Sequence, residues 1–203
     1  MKKIGLTGGI GSGKSAVKKI LWQLNYPCFD ADSFTREILA SPKAAEELCQ
    51  LFSEAILGGD GLVDRGSLRQ LVFADSSRRK TLESYMHPRI QAKWLEILRR
   101  FEACPHDVWV FYEAALLIET GRKCDFDKLV LVTAPLEVRL ERLAARGLDT
   151  QAAQGVISSQ WTDAEKLNAA DYVIQNNSTI ETLRQEVFQM LLWLGGEFSV
   201  SGN

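Results

Sequence analysis

Apolar and polar positions along the chain switch between short strand-like runs and longer stretches with helical spacing. Five short runs predict strands: Lys3 to Thr7, Tyr26 to Phe29, Val108 to Tyr112, Leu129 to Thr133 and Tyr172 to Ile174. Helical spacing predicts a helix from Gly13 to about Leu24 and a last helix from Ile180 to about Leu194. Strands that alternate with helices predict an α/β fold, in which a five-stranded parallel sheet has helices on both faces.

Two longer stretches interrupt this alternation. From Ser33 to Arg100 no strand pattern stands out, and Ile90, Trp94 and Leu98 have helical spacing, so this part predicts a helical insertion. The dipeptide His87-Pro88 predicts a chain break inside it, because a residue before proline avoids helical dihedrals. A second helical stretch extends from Leu136 to about Leu167. The predicted parts are a core of about residues 1–32, 106–136 and 168–195, an insertion of about 33–105, and a helical segment of about 137–167.

One local motif carries most of the chemical information. Residues Gly8 to Ser15 read Gly-Gly-Ile-Gly-Ser-Gly-Lys-Ser, a complete phosphate-binding loop that follows the first predicted strand and opens the first helix. Such a loop points backbone N–H groups at a triphosphate, which glycine permits, while Lys14 reaches the β- and γ-phosphates and Ser15 offers a hydroxyl to Mg²⁺. The predicted nucleotide-contacting residues are Gly8, Gly9, Gly11, Ser12, Gly13, Lys14, Ser15 and Ala16.

Composition narrows the class of protein further. The 203 residues include 24 basic and 26 acidic side chains, a balance that disfavours a general nucleic-acid binder. No apolar run approaches the roughly 20 residues that span a bilayer, and the first strand follows Met1 so closely that we expect no signal peptide. The four cysteines form no C-x-x-C pair, so we expect neither a zinc site nor a redox motif. A chain with a nucleotide site and no signal peptide is expected in the cytoplasm, where thiols stay reduced.

Two carboxylates follow the second predicted strand directly, in the sequence Asp30-Ala31-Asp32. The carboxyl ends of strands in an open parallel sheet form the ligand crevice, so this placement favours a role beside the phosphates. In an extended chain both side chains point to a similar side. Asp30 is also suited to capping a helix that starts near Ser33. Asp32 has two possible roles: it either takes part in catalysis or metal contact, or it only caps the helix.

The motifs together resemble those of the dephospho-CoA kinase family. The resemblance covers about residues 3 to 190, and its blocks occur in the family's order: Gly5 to Ser15, Asp30-Ala31-Asp32 with Arg36, Asp60-Gly61 with Asp64-Arg65, His87-Pro88-Arg89-Ile90, Leu116-Leu117 with Glu119, and Ala170 to Ile174 with Asn176-Asn177. It implies the P-loop NTP hydrolase fold. It also implies transfer of the γ-phosphoryl of ATP to the 3′-hydroxyl of dephospho-coenzyme A, with Mg²⁺.

The resemblance implies roles for particular residues. Asp32 accepts or orients the attacking hydroxyl and contacts the metal with Ser15, while Lys14 holds phosphates. Residues 137–167 form a lid that includes Gln160 and Lys166, and Arg142 and Arg146 converge from it on the triphosphate. Periodicity alone also allows another interpretation. Arg139, Arg142 and Arg146 would then lie on a solvated helix face and pair with Glu137 and Glu141.

On the acceptor side the resemblance implies a set of substrate-binding residues: Asp32, Arg36, Arg65, His87, Arg89 and Leu116, with Arg69 as a further candidate. His87 has an open alternative as a structural turn residue. One position departs from the family, because Ala115 stands where proline is usual. The lost ring frees a backbone torsion and restores an N–H, so we expect a shifted turn with altered substrate affinity.

Two other functions are compatible with the same sequence features. A nucleoside or nucleotide kinase of the same architecture shares the loop, the lid and the insertion, and acceptor preference distinguishes it. A regulatory module that binds ATP without transferring phosphate is the second alternative, because a fold alone never establishes chemistry. As partners we expect the small-molecule substrate, with no nucleic acid and no membrane, in a monomer or weak homo-oligomer.

Overall fold

The structure is a computed structural model that describes residues 1–73, 75–104 and 108–200. Its contacts divide the chain into two compact units, Met1–Phe29 with His106–Asn203 in the first and Asp30–Pro105 in the second. The predicted boundary between insertion and core at residues 105 and 106 lies outside the described residues.

The first unit is built on a five-stranded sheet. Its strands are β1 (Lys2–Thr7), β2 (Cys28–Asp30), β3 (Trp109–Glu113), β4 (Lys128–Thr133) and β5 (Tyr172–Gln175). They run parallel in the order β2-β3-β1-β4-β5, with Ile4 opposite Phe111 on one side and Lys128 on the other. The predicted parallel α/β sheet is therefore confirmed, and β1 is its central strand.

Helices connect the strands and form the second unit. Within the described residues they are α1 (Lys14–Gln23), α2 (Ala31–Leu39), α3 (Pro42–Phe52), α4 (Arg65–Phe73), α5 (Ser76–Glu102), α6 (Leu136–Ala144), α7 (Thr150–Ser158), α8 (Asp163–Leu167) and α9 (Ile180–Val200). Short 3-10 turns lie at Glu54–Ile56 and Arg122–Asp125. None of the described helices combines the length and apolar character that a bilayer crossing requires.

The core of the first unit packs α1 and α9 against the central strands. Ile4 and Leu6 of β1 are fully buried with Val17 of α1 and Val187 of α9. Burial of such aliphatic side chains contributes about 1.5–3 kcal/mol each. This packing fixes the end of β1 and the start of α1, and so fixes both ends of the phosphate loop between them.

The second unit has a separate core made by α2 to α5. Leu48 and Phe52 of α3 pack with Ile56, with Leu68 of α4 and with Met86 of α5. The helices α2 and α4 both contact the long helix α5. The helices of the second unit therefore have an apolar cluster of their own.

The predicted chain break at His87-Pro88 is wrong, because α5 continues through Pro88 to Glu102. Proline removes one helical N–H, a loss that usually ends or kinks a helix. Here a buried side chain anchors the helix on each side of the proline: Met86 before it and Trp94 after it. The Arg89 guanidinium also donates a hydrogen bond of 2.8 Å to the Tyr85 carbonyl, beside the interrupted turn.

The segment predicted as one helical stretch, Leu136 to Leu167, is instead three short helices. Gly147 has a left-handed φ of 83° after α6, a conformation that favours glycine and ends a helix. Asp149 caps the start of α7, and Thr162 caps α8 through a reciprocal pair of hydrogen bonds with Glu165.

The last helix, α9, is longer than predicted, because it continues past Gly195. In this added part, Glu197 forms an ion pair of 2.6 Å with Lys128 of β4.

Glu47 of α3 links two helices of the second unit. Its carboxylate accepts hydrogen bonds from the Tyr85 hydroxyl at 2.7 Å and the Arg89 guanidinium at 2.9 Å. The Tyr85 bond and then Arg89 hold the pKa of Glu47 below its ordinary value of 4.5. Because the folded pKa is lowered, this stabilisation is present above the unfolded pKa and is lost as pH falls through the folded value.

We therefore expect the stability difference between the parent and Glu47→Gln to narrow as pH drops below the ordinary pKa of 4.5. Urea unfolding over an acidic pH series measures it, with Glu46→Gln, exposed on the same helix, as control. A difference that does not depend on pH contradicts the prediction.

Candidate functional site

The phosphate loop lies at the carboxyl end of the central strand. Residues 8–13 connect β1 to α1, beside the ends of β3 and β4 on either side. Gly8, Gly11 and Gly13 have φ values of 149°, 79° and 97°, which L side chains rarely adopt. The sequence reading of these three glycines as conformational requirements agrees with that backbone.

Space is restricted at the same positions. A Cβ on Gly8 would lie 2.2 Å from the Val132 carbonyl oxygen, which belongs to the backbone of β4. A Cβ on Gly13 would lie 2.0 Å from Nδ2 of Asn176, a buried side chain. Glycine is therefore required by neighbouring atoms as well as by dihedral angles.

Lys14 folds over the loop that precedes it. Its ammonium donates hydrogen bonds to the carbonyls of Gly8 at 2.8 Å and Gly9 at 3.2 Å. Ser15 is exposed at the start of α1, whereas the Ser12 hydroxyl is buried and has no hydrogen-bond partner among the described residues. Buried hydroxyl groups in proteins normally have a hydrogen-bond partner, so the unsatisfied Ser12 hydroxyl is suited to bind a polar ligand at the loop.

Arg142 of α6 contacts the loop from outside. Its Nη1 donates to the carbonyls of Gly11 and Ser12 at 3.3 Å each, and its Nη2 donates to the main chain and side chain of Asn176. Burial, and then repulsion from Arg146, lowers the pKa of Arg142. A guanidinium stays charged near neutral pH, so two positive groups lie close together beside the loop.

A cavity of about 320 Å³ opens next to the loop. Its lining residues are Gly13, Ser15, Ala16, Arg142, Arg146, Asn176, Ser178, Ile180 and Leu183. The structure thus brings together five of the residues that the sequence predicted for the nucleotide. Arg146 lines the cavity from the turn before Gly147 and not from a helix, because α6 ends at Ala144.

Asn176 is a site residue whose role was missed. It follows β5, its N–H bonds to the Thr133 carbonyl at 2.8 Å, and its side-chain amide donates to the Ser12 carbonyl at 2.8 Å. The signal was its place at the carboxyl end of a strand, where ligand sites of parallel sheets lie. It connects Arg142 to the loop.

Arg139 was also misread. The solvated-face alternative is wrong for it, because the side chain is only 9% exposed and pairs with Asp163 of α8 instead of Glu137 or Glu141. Its guanidinium bonds the carbonyl of Ile10 at the tip of the loop. Helical spacing to two glutamates cannot reveal this contact, since the partner lies 129 residues away along the chain.

The two candidate carboxylates separate in the structure. Asp30 is the N-cap of α2, where it accepts a hydrogen bond of 2.6 Å from the N–H of Ser33. The helix begins at Ala31, so the chain is not extended between Asp30 and Asp32, and the two side chains do not lie on one side as they would in a strand. Asp32 is exposed in the first helical turn, and capping is the role of Asp30.

Comparison with known proteins decides the family. The dephospho-CoA kinase family model matches residues 2–182 of this chain. The chain belongs to the dephospho-CoA kinase family. A dephospho-CoA kinase of Corynebacterium jeikeium is 40% identical over 189 residues, which cover 92% of this chain and 96% of that protein.

Solved structures agree with the family. A crystal structure of a Thermus thermophilus protein is similar with a TM-score of 0.82 and 36% identity, over 95% of this chain and 97% of that one. A dephospho-CoA kinase from Campylobacter jejuni gives a TM-score of 0.65 and 29% identity, over 94% and 96% of the two chains.

The acceptor-side residues that the resemblance to dephospho-CoA kinases suggested lie mostly in the second unit. Arg36, Arg65, Arg69 and His87 are exposed there. Arg89 is already engaged, since its guanidinium stacks 3.6 Å from the Tyr85 ring centre besides bonding Glu47. It is therefore held in place by its own unit.

The segment after β3 contains Ala115, where the resemblance implied a departure from the family. Ala115 lies in a turn, and its carbonyl accepts a hydrogen bond of 3.2 Å from the Thr7 hydroxyl. Leu116 is 44% exposed. Further along, the Glu119 carboxylate pairs at 2.9 Å with Lys166 of α8, which is completely buried. The expected effect of Ala115 on substrate affinity stays a prediction.

Proposed function

We propose that this chain transfers the γ-phosphoryl group of ATP to the 3′-hydroxyl of dephospho-coenzyme A, the last step of coenzyme A synthesis. The observation that carries the proposal is a complete phosphate loop, flanked by Lys14 and Arg142, in a chain of the dephospho-CoA kinase family. Phosphoryl transfer needs chiefly positioning and charge neutralisation, which these groups supply.

The donor side uses the first unit. Loop amides and Lys14 hold the β- and γ-phosphates, and Arg142 and Arg146 neutralise charge from the proposed lid, residues 137–167. The neighbouring cavity of about 320 Å³ suits a nucleoside, with Ile180 and Leu183 supplying apolar contact for the base.

Mg²⁺ fits the donor atoms that the loop offers. Within the described residues no cluster of three or more histidine, cysteine or carboxylate side chains is arranged to hold a metal. Mg²⁺ commonly takes few protein ligands and completes its shell with substrate phosphates and water. We propose that Ser15 and Asp32 are its protein contacts; when bound, the ion neutralises charge on the phosphates.

The acceptor side uses Asp32 to orient or deprotonate the hydroxyl. We propose that Arg36, Arg65 and His87, which are exposed, bind the acceptor, with Leu116 as an apolar contact. Arg89 remains a proposed contact that would have to share its charge with Glu47. We also propose a cytoplasmic location and a monomer or weak homo-oligomer.

An acceptor comparison tests the function. ADP release is measured with Mg²⁺ and ATP in the presence of dephospho-coenzyme A, AMP, CMP, adenosine or no acceptor. We expect turnover with dephospho-coenzyme A alone. Turnover with a nucleotide would favour a nucleotide kinase of the same architecture, and ATP binding without transfer would favour a regulatory module.

A further inference from the structure

The tip of the phosphate loop is held from outside through one residue. The N–H of Ile10 donates a hydrogen bond of 2.9 Å to Oε1 of Gln160, which follows α7. The carbonyl of Ile10 accepts a hydrogen bond of 2.9 Å from Nε of Arg139 on α6. Both backbone groups of this residue are thus fixed by side chains of the segment 136–160.

Two glycines of the loop, Gly9 and Gly11, lie so close to Arg139 that a side chain on either would collide with it. A Cβ on Gly9 would lie 2.3 Å from Nη2 of Arg139, and a Cβ on Gly11 would lie 2.9 Å from its main-chain oxygen. Gly9 has no left-handed φ, so a side chain there would be opposed by the guanidinium of Arg139 and not by the backbone. The ion pair with Asp163 of α8, at 3.5 Å, holds the guanidinium over the loop.

We propose that Arg139 and Gln160 are positioning residues that set the phosphate loop in its nucleotide-binding shape by fixing the Ile10 peptide groups. The proposal rests on the proposed function only in taking ATP as the donor. A flexible glycine-rich loop loses conformational entropy when it binds phosphates, and prior fixing of its tip reduces that loss. These contacts therefore raise nucleotide affinity without touching the nucleotide.

Nucleotide binding in the absence of acceptor gives the direct test. Gln160→Leu keeps the side-chain bulk and removes the acceptor for Ile10, and Arg139→Gln removes the guanidinium. We expect each to weaken ATP binding about tenfold by calorimetric titration, as for one lost hydrogen bond to a fixed group. Glu141→Gln, exposed on α6, is the matched control and should bind ATP like the parent.

The double variant separates a shared role from two local ones. Both side chains act on Ile10, so Arg139→Gln with Gln160→Leu should weaken binding clearly less than the product of the single effects. The KM for ATP should rise while the KM for the acceptor stays unchanged. Arg139→Lys, which keeps the charge but not the Nε donor, should behave like Arg139→Gln.

A purely structural role predicts another pattern. Lower melting temperatures with parent-like ATP affinity in both single variants would overturn the proposal, as would effects that multiply in the double variant. Because the affinity for ATP is measured without acceptor, this outcome does not depend on the identity of the acceptor. A parent that binds ATP but leaves dephospho-coenzyme A unphosphorylated would refute the proposed function and still allow the positioning role to be judged.

Discussion

Replacing Lys166 with methionine is expected to lower the free energy of unfolding by about 3–5 kcal/mol, because it leaves a charge without its partner in the interior. The Lys166 ammonium is fully buried and lies 2.9 Å from Glu119, whose side chain is 12% exposed. The pair is not aligned as a hydrogen bond, and both Glu119 oxygens lack another hydrogen-bond partner among the described residues. Without Lys166, desolvation of the carboxylate is uncompensated.

Urea unfolding at neutral pH measures the effect. Adding Glu119→Gln to Lys166→Met removes the orphaned charge and should recover most of the lost stability. Lys123→Met is the matched control, since Lys123 is 48% exposed and lies 3.6 Å from Asp171. An exposed pair of this kind contributes about 0–1 kcal/mol. Equal losses in the two methionine variants would contradict the prediction.

The buried pair has a consequence for the proposed lid. Lys166 anchors α8, and Asp163 at the start of α8 pairs with Arg139, which bonds the loop tip. The segment after β3 is thereby connected to the phosphate loop through three successive contacts. A variant at Glu119 should therefore change ATP affinity only as far as it moves α8.

The sequence allowed the loop and sheet to be predicted because their signals are local. A glycine motif and alternating strands depend on neighbours a few residues apart, and β1, α1 and the loop lie close to their predicted bounds. The position of Asn176 after a strand was such a signal, but the contacts of Arg139 and Asn176 were not. Their partners, Ile10 and Ser12, are 129 and 164 residues distant, so only the folded chain reveals them.

Local rules also gave the wrong answer where packing was stronger. Pro88 disfavours a continuous helix, yet α5 buries Tyr85, Met86, Trp94 and Leu98 on both sides of it. The combined burial of these side chains exceeds the roughly 3 kcal/mol that an interior proline costs. Spacing likewise predicted one helical stretch where the structure has three helices, because hydrophobic spacing does not report a backbone turn such as the left-handed one at Gly147.

Replacing Asp32 with asparagine is expected to lower kcat by about 100- to 10,000-fold with little change in ATP affinity, the usual effect of losing a general base. Asp32 is exposed in the first turn of α2, so asparagine should be tolerated there. Steady-state rates with dephospho-coenzyme A and calorimetric ATP binding measure the two effects separately.

The neighbouring carboxylate distinguishes this role from helix capping. Asp30→Ala removes the bond to the Ser33 N–H and should cost about 0.5–2 kcal/mol of stability, while leaving a folded enzyme with Asp32 intact. If Asp32 only stabilised the helix dipole, its asparagine variant would lose about 0.3–1 kcal/mol and keep its kcat. Asp32 is therefore assigned as the base if Asp32→Asn loses much of its kcat without losing stability. Asp30→Ala should show the opposite result, a loss of stability without a large fall in kcat.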